Sequence, residues 1–358
     1  MNILVIGKFS DDQFGFHISD TLKDLGNQTF EFDPTAKYKY SKTIIGRRIH
    51  QANQIMVNSL ANTKYFIERR KKKLQKIIEA NKIDLTIVTH DFLYPDEVEL
   101  IKNKSKAPIV MWFPDGIGTA SKALFMIADY NYVFFQDPYA VIILSNQYNK
   151  KNVLYLPECC NPKYHKTIRL SDKDLYKYEC DITTYGNPHN YRSFFFSHLS
   201  DMNLNIKIWG HQPPIWQKDL KSRRLFQGEY LTNDEKSKAV FAAKINLNTL
   251  VPAGVYGLNA RTFEIAGIGG FQMIQWRAGL SNLFDDGKEL VAFKNFEELK
   301  EKIKYYLGNE AIRNKIANAG QKRAYNSHTY QHRLNLILNT IFSSAKGFEI
   351  SQTNLIVN

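Results

Sequence analysis

Short apolar runs separated by helix-like stretches recur along this chain, and that alternation constrains the fold more than any other feature. In the first 157 residues the runs are 3–6, 29–32, 85–88, 109–113, 132–135 and 153–156, with amphipathic stretches at 14–25, 63–80, 96–103 and 138–146. Strands joined through helices must pair in parallel, because each crossover returns the chain in its original direction. The resulting sheet is then covered on both faces. The first half is therefore expected to form a doubly wound α/β domain.

Residues 156–165 interrupt the pattern with two prolines and no periodicity, and they read as a linker. The pattern then resumes with strand-like runs at 181–185, 206–209, 245–247, 271–274 and 290–293. Thr232 and Glu235 have capping-box spacing before one helix, Asn295 and Glu298 before another that Gly308 closes, and a last helical region from 311 to 342 breaks near Ser327 and His328. The expected domains are 1–157 and 158–327. Residues 328–358 are expected to supply a last helix, followed by a polar tail, Ser351 to Asn358, that frays.

Composition narrows the function classes. The 358 residues carry 48 Lys+Arg against 35 Asp+Glu, a formal net charge of +13, with 44% hydrophobic residues. That is globular rather than disordered composition. Cys159, Cys160 and Cys180 are the only cysteines, too few and wrongly spaced for a disulfide framework or a cysteine-ligated zinc. With no apolar run near about 20 residues, a cytoplasmic location is expected. The basic excess suits nucleic acid, an anionic membrane or a phosphorylated small substrate.

A dinucleotide fingerprint is missing, since Gly7 is followed by no glycine until Gly15. The informative stretch lies further on. A strand ending at Asn248 leads into a loop with Gly254 and Gly257, and Asn259 can then cap a helix carrying Arg261 and Glu264 in its first turns. Backbone N–H groups, the positive helix end and a guanidinium suit a diphosphate, while the carboxylate suits ribose hydroxyls. The competing reading of Arg261 and Glu264 is an i, i+3 salt bridge with no ligand.

Asn246-Leu247-Asn248, Arg261-x-Phe263-Glu264-x-Ala266-x-x-Gly269-Gly270, Phe284-x-x-Gly287-x-Glu289, Ala317-x-x-Gly320 and His328-Thr329-Tyr330-x-x-Arg333 together resemble the CgeB-like (spore maturation protein B-like) branch of the glycosyl transferases group 1 superfamily. The resemblance implies a GT-B fold, with two Rossmann-like domains facing a cleft, 1–157 on the acceptor side and 158–327 binding the nucleotide sugar, and a C-terminal crossover helix within 328–358 that returns to the first domain. It also implies a glycosyltransferase of hexosyl or N-acetylhexosaminyl type that needs no metal or cofactor. The donor would be a nucleotide sugar, first a UDP sugar, and the acceptor a glycan, a lipid-linked sugar or a protein.

Within that resemblance Glu264 is expected at the donor ribose, and backbone groups of Gly254, Gly257, Leu258 and Asn259 at the diphosphate. Tyr256 stands where related enzymes often carry a second Glu. Gly186 and Asn187 form a turn from which Arg192 can reach phosphate, with Pro188 in the same turn. Trp209-Gly210 matches a strand–glycine turn beside the base, although a buried structural Trp is the alternative. His90 and Asp91 match a His–acidic pair that contacts the donor sugar, and Asp115 competes with them as the carboxylate that would deprotonate the acceptor.

Four features remain. His17 and Ser10 could line the acceptor side. The run Arg69 to Lys73 is either a solvated helix face or a surface for anionic membrane or acidic glycan. Asp172-Lys173-Asp174 spells D-x-D without a preceding strand and is read as accidental. A non-catalytic nucleotide- or glycan-binding protein is one alternative to the enzyme. A basic nucleic-acid-binding protein is the other, and it lacks any accompanying motif.

Overall fold

The computed structural model describes residues 1–35, 63–120, 122–187, 189–213 and 221–342; Pro188 and the tail Ser351 to Asn358 lie outside them. Two sheets form, and every strand pair whose register is defined is parallel. The first contains β1 (Asn2–Ile6), β2 (Gln28–Phe32), β3 (Leu85–Val88), β4 (Ile109–Phe113), β5 (Tyr132–Phe135) and β6 (Val153–Tyr155), in the order β2-β1-β3-β4-β5-β6. Its connections carry α1 (Phe14–Asp24), α2 (Lys64–Ala80), α3 (Pro95–Ser105) and α4 (Pro138–Asn146). Ile3, Leu4, Val5 and Ile6 are all fully buried, as continuous apolar strands are when helices cover both sheet faces.

The second sheet contains β7 (Cys180–Tyr185), β8 (Ile206–Trp209), β9 (Ala243–Asn248), β10 (Gln272–Gln275) and β11 (Val291–Phe293), in the order β11-β10-β9-β7-β8. Its helices are α5 (Asp172–Tyr178), α6 (Asn190–Leu199), α7 (Asn233–Ala242), α8 (Ala260–Ile268), α9 (Phe296–Leu307), α10 (Glu310–Ser327) and α11 (Tyr330–Phe342). After β7 the chain steps outward to β8, then returns to the other side of β7 to make β9. The loops leaving β7 and β9 therefore diverge at their carboxyl ends, the place where an open α/β sheet leaves a crevice.

By internal contacts the chain divides into two compact units. One comprises residues 1–113, 120–134 and 149–154; the other comprises 114–119, 135–148 and 155 onward, α4 and α11 included. The proline-containing segment 156–165 is no exposed tether. Leu156, Glu158, Cys159, Cys160, Asn161 and His165 are buried, and the Cys160 amide donates to His328 O at 2.9 Å while Cys160 O accepts from Tyr330 N at 3.0 Å. Prolines without periodicity signalled irregular backbone, which here is built into the second unit.

Two local expectations also change. Thr232 precedes α7 as expected, but its side chain makes no capping hydrogen bond. Asn295 does cap α9, accepting from Glu298 N at 2.9 Å, while Glu298 reaches Lys294 N instead of closing the box. No helix of the described residues is long and apolar enough to cross a membrane.

Candidate active site

Two glycines open the site at the ends of β7 and β8. Gly186 has φ +116° and Gly210 φ +152°, and a Cβ on Gly210 would lie 2.2 Å from the Gly186 carbonyl oxygen. Only glycine lets the two turns pass this closely. A Cβ on Gly186 would in turn meet Arg261 Nη2 at 2.8 Å and Arg192 Nη1 at 3.0 Å. Arg192 and Arg261, one from α6 and one from α8, thus converge on one small patch of backbone.

Each arginine is held by neutral oxygens. Buried Arg192 donates from Nη1 to Asn187 O at 2.6 Å and from Nε to Thr249 Oγ1 at 3.3 Å. Arg261 donates to Asn248 Oδ1 at 3.1 Å, and its Nε is buried without an acceptor. Among the described residues neither guanidinium has a carboxylate partner within ion-pair distance. Burial first, then the Arg261 charge, lowers the pKa of Arg192. The same sequence of causes, burial and then both arginines, lowers that of His189. Two like charges left unmatched make a place prepared for an anion.

The helix that carries Arg261 adds to this field. Asn259 caps α8, its side chain accepting from Thr262 N at 3.2 Å, and Asn248 at the end of β9 ties Asn259, Thr262 and Gln272 together. Among the described residues no acceptor meets the backbone N–H of Asn259, Ala260 or Arg261. These are the unsatisfied donors of a helix start, at the positive end of its dipole.

Glu264 faces a different set of partners from Arg261, one turn further along. Its carboxylate accepts from Tyr185 Oη at 2.6 Å and Lys236 Nζ at 3.1 Å, with His165 Nε2 at 3.8 Å. The i, i+3 partnership weighed for this pair therefore gives way to separate partners. Tyr185 links the two, since the Arg261 guanidinium lies 5.1 Å from its ring centroid. Tyr185, Lys236, His165 and Thr249 escaped the sequence reading. Tyr185 could have been found as the residue before Gly186 at a strand end, whereas Lys236 looks like any polar helix position until its burial is known.

The glycine loop is organised otherwise than expected. The N–H of Gly254 goes to Val251 O, and those of Val255 and Tyr256 go to the Asp137 carboxylate, Val255 N at 2.6 Å. These donors are occupied, so the open amides begin at the helix start. Gly257 is required by close approach: a Cβ there would lie 2.3 Å from Gln136 Oε1. Leu258 is in the core, and the Tyr256 ring packs edge-on against Tyr139 at 5.5 Å. Trp209 is 2% exposed, with its indole N–H donating to Thr183 Oγ1 at 3.1 Å, so its ring belongs to the core and not to a base-binding surface.

The remaining candidates fall elsewhere. In the first unit Asp91 accepts from the Leu124 and Phe125 amides at 2.8 and 3.0 Å, which commits it to holding the turn 124–126. Burial raises its pKa against the lowering effect of those bonds. His90, half-buried beside it, lies against the rings of Phe92 and Phe113. Asp115 is exposed and belongs to the second unit, where neighbouring Gly116 packs so tightly that a Cβ would stand 2.7 Å from Ala253 O. His17 is buried against Asp12 at 3.3 Å, and Ser10 is exposed.

In the basic run Arg70 pairs with buried Glu97, and Lys71 with Asp96 at 2.5 Å, leaving Arg69, Lys72 and Lys73 exposed. Asp174 of the D-x-D sequence closes a capping box with Ser171 and pairs with Lys238 at 2.9 Å.

Residues 192–339, which hold both arginines and Glu264, match a family model described as glycosyl transferase-like. No curated protein matches the chain in sequence. Solved structures resemble it over 96% of its length. They include a glycosyltransferase from Rickettsia africae (14% identity, 99% of that chain, TM-score 0.65) and sucrose-phosphate synthase from Thermosynechococcus elongatus (11%, 100%, 0.66). Anabaena HepE in complex with UDP-glucose matches similarly (13%, 100%, 0.64). The fold is GT-B. Its two Rossmann-like domains accord with the expectation from sequence.

Proposed function

We propose that the chain is a nucleotide-sugar glycosyltransferase of the CgeB-like branch, with a UDP sugar as donor. The observation that carries this is the pair Arg192 and Arg261, converging on Gly186 near the start of α8 with no carboxylate partner among the described residues. Departure of a nucleoside diphosphate concentrates negative charge on its terminal phosphate. Guanidinium and amide donors fixed in place stabilise that charge without reorganising, and they supply it without a metal.

Glu264, oriented by Tyr185 and Lys236, accepts from the ribose hydroxyls. His90 and Asp115 are the groups proposed to act on the donor sugar and acceptor hydroxyl. Asp91, committed to backbone, serves by fixing the turn after His90. The resemblance to HepE solved with UDP-glucose supports a UDP donor. The first unit is proposed to take the acceptor.

The test is a panel of UDP, GDP, CMP and dTDP sugars, followed by thermal shift and by nucleotide release. Stabilisation by UDP sugars with release of UDP is expected. Stabilisation without release would favour the non-catalytic binding protein, and no stabilisation by any donor would remove the reading.

A further inference from the structure

The second unit holds another concavity, of about 480 Å³, between the turn at Leu283, the end of α10 and α11. It shares no lining residue with Arg192, Arg261 or Glu264. Its size falls within the roughly 300–1,000 Å³ of small-molecule sites. Leu283 and Leu336 supply apolar surface. Asn326, Asn335 and Asn339 supply amides that make no side-chain hydrogen bond among the described residues. Each offers both a donor and an acceptor, which is what a hydroxyl requires.

Charge selects further. Among the described residues no carboxylate lines the cavity. Arg323 is held through Nε by the Leu283 carbonyl at 3.0 Å, with Glu289 3.9 Å from the same nitrogen, so both terminal nitrogens keep their donors. Beneath lies Arg333, 3% exposed, whose donors go to the Pro157, Glu158 and Ser327 carbonyls and to His328 Nδ1. Among the described residues its charge is met by no ion pair. Apolar patches suit the C–H face of a pyranose, free amides its hydroxyls, and the terminal nitrogens of Arg323 an anionic substituent, with the buried Arg333 charge adding to the positive field beneath.

We propose that this cavity is a second carbohydrate site, separate from the nucleotide site, that takes an acidic sugar. A hexuronate and a sugar phosphate share the chemistry it would recognise.

The experiment titrates the full chain with glucuronate, glucose 6-phosphate and glucose by ligand-observed NMR, with UDP binding measured in parallel. The exposed pair Asn335→Ala/Asn339→Ala should weaken both acids about tenfold, as the loss of two hydrogen bonds predicts. Arg323→Gln should weaken the acids and spare glucose, and every variant should bind UDP as the parent does. Equal binding of glucose and the acids, acids displaced by UDP, unchanged binding by the double variant, or no saturable binding of either acid would each overturn the proposal. Because UDP affinity is read separately, that failure is distinguishable from failure of the donor assignment.

Discussion

The two units place polar residues at comparable positions, after the carboxyl ends of parallel strands, yet they use them differently. In the first, Asp91 is consumed by the Leu124 and Phe125 amides, and His90 sits against aromatic rings. In the second, Arg192 and Arg261 are brought together over Gly186 with no counter-ion among the described residues. A protein that only needed stability would not hold two like charges this way. On the proposed function, the difference separates residues that complete the fold from residues that receive a ligand.

The largest effect that could break this comparison is on diphosphate affinity. Removing both arginines costs two charged hydrogen-bond partners at about 1.5–3 kcal/mol each, so Arg192→Ala/Arg261→Ala should bind UDP roughly a hundredfold to ten-thousandfold more weakly. Arg261→Ala alone sharpens the point, since it relieves repulsion on Arg192. Its melting temperature in the absence of ligand should equal or exceed the parent's, measured by calorimetry.

Next in size is Glu264. Glu264→Ala leaves Lys236, 4% exposed in its side chain, without its carboxylate, and should cost about 3–5 kcal/mol of stability in denaturant titration. Adding Lys236→Met should recover much of that stability while preference for UDP over its 2′-deoxy form stays lost. Recovery of the preference together with the stability would make Glu264 structural.

Asp91→Ala should act like loss of a cap, about 1 kcal/mol of stability with UDP affinity unchanged. A large fall in turnover without a change in stability would return Asp91 to the catalytic candidates.

The smallest effect is on titration. His189 has its pKa lowered by burial and then by Arg192 and Arg261, so the unfolded chain takes up its proton first as pH falls. Its contribution to stability is present above the unfolded value of about 6.5 and is lost below it. A bound diphosphate neutralises the arginines, so the His189 pKa should rise on adding UDP in an NMR titration. No movement would place the anion elsewhere.

Alternation of apolar runs made the two parallel sheets legible, because burial on both faces writes itself as continuous apolar strands. Gly186, Arg192, Arg261 and Glu264 were legible too, through glycine turns and a capped helix start. What stayed hidden depends on contacts distant in sequence. Asp137 reaches the Val255 amide from 118 positions away and Tyr185 reaches Glu264 across 79, and no local pattern marks either. The choice left open for Trp209, and the occupied amide of Gly254, show the same limit: motif spacing places a residue near a strand end but does not show which partner already occupies it.

The central claim is that the unmatched arginines hold the diphosphate. Isothermal titration of parent and Arg261→Ala with UDP and with uridine tests it most directly. The account predicts that UDP affinity falls by about tenfold to a hundredfold in the variant while uridine binds both alike. Equal UDP affinity in the two proteins, or an equal loss for uridine, would contradict it.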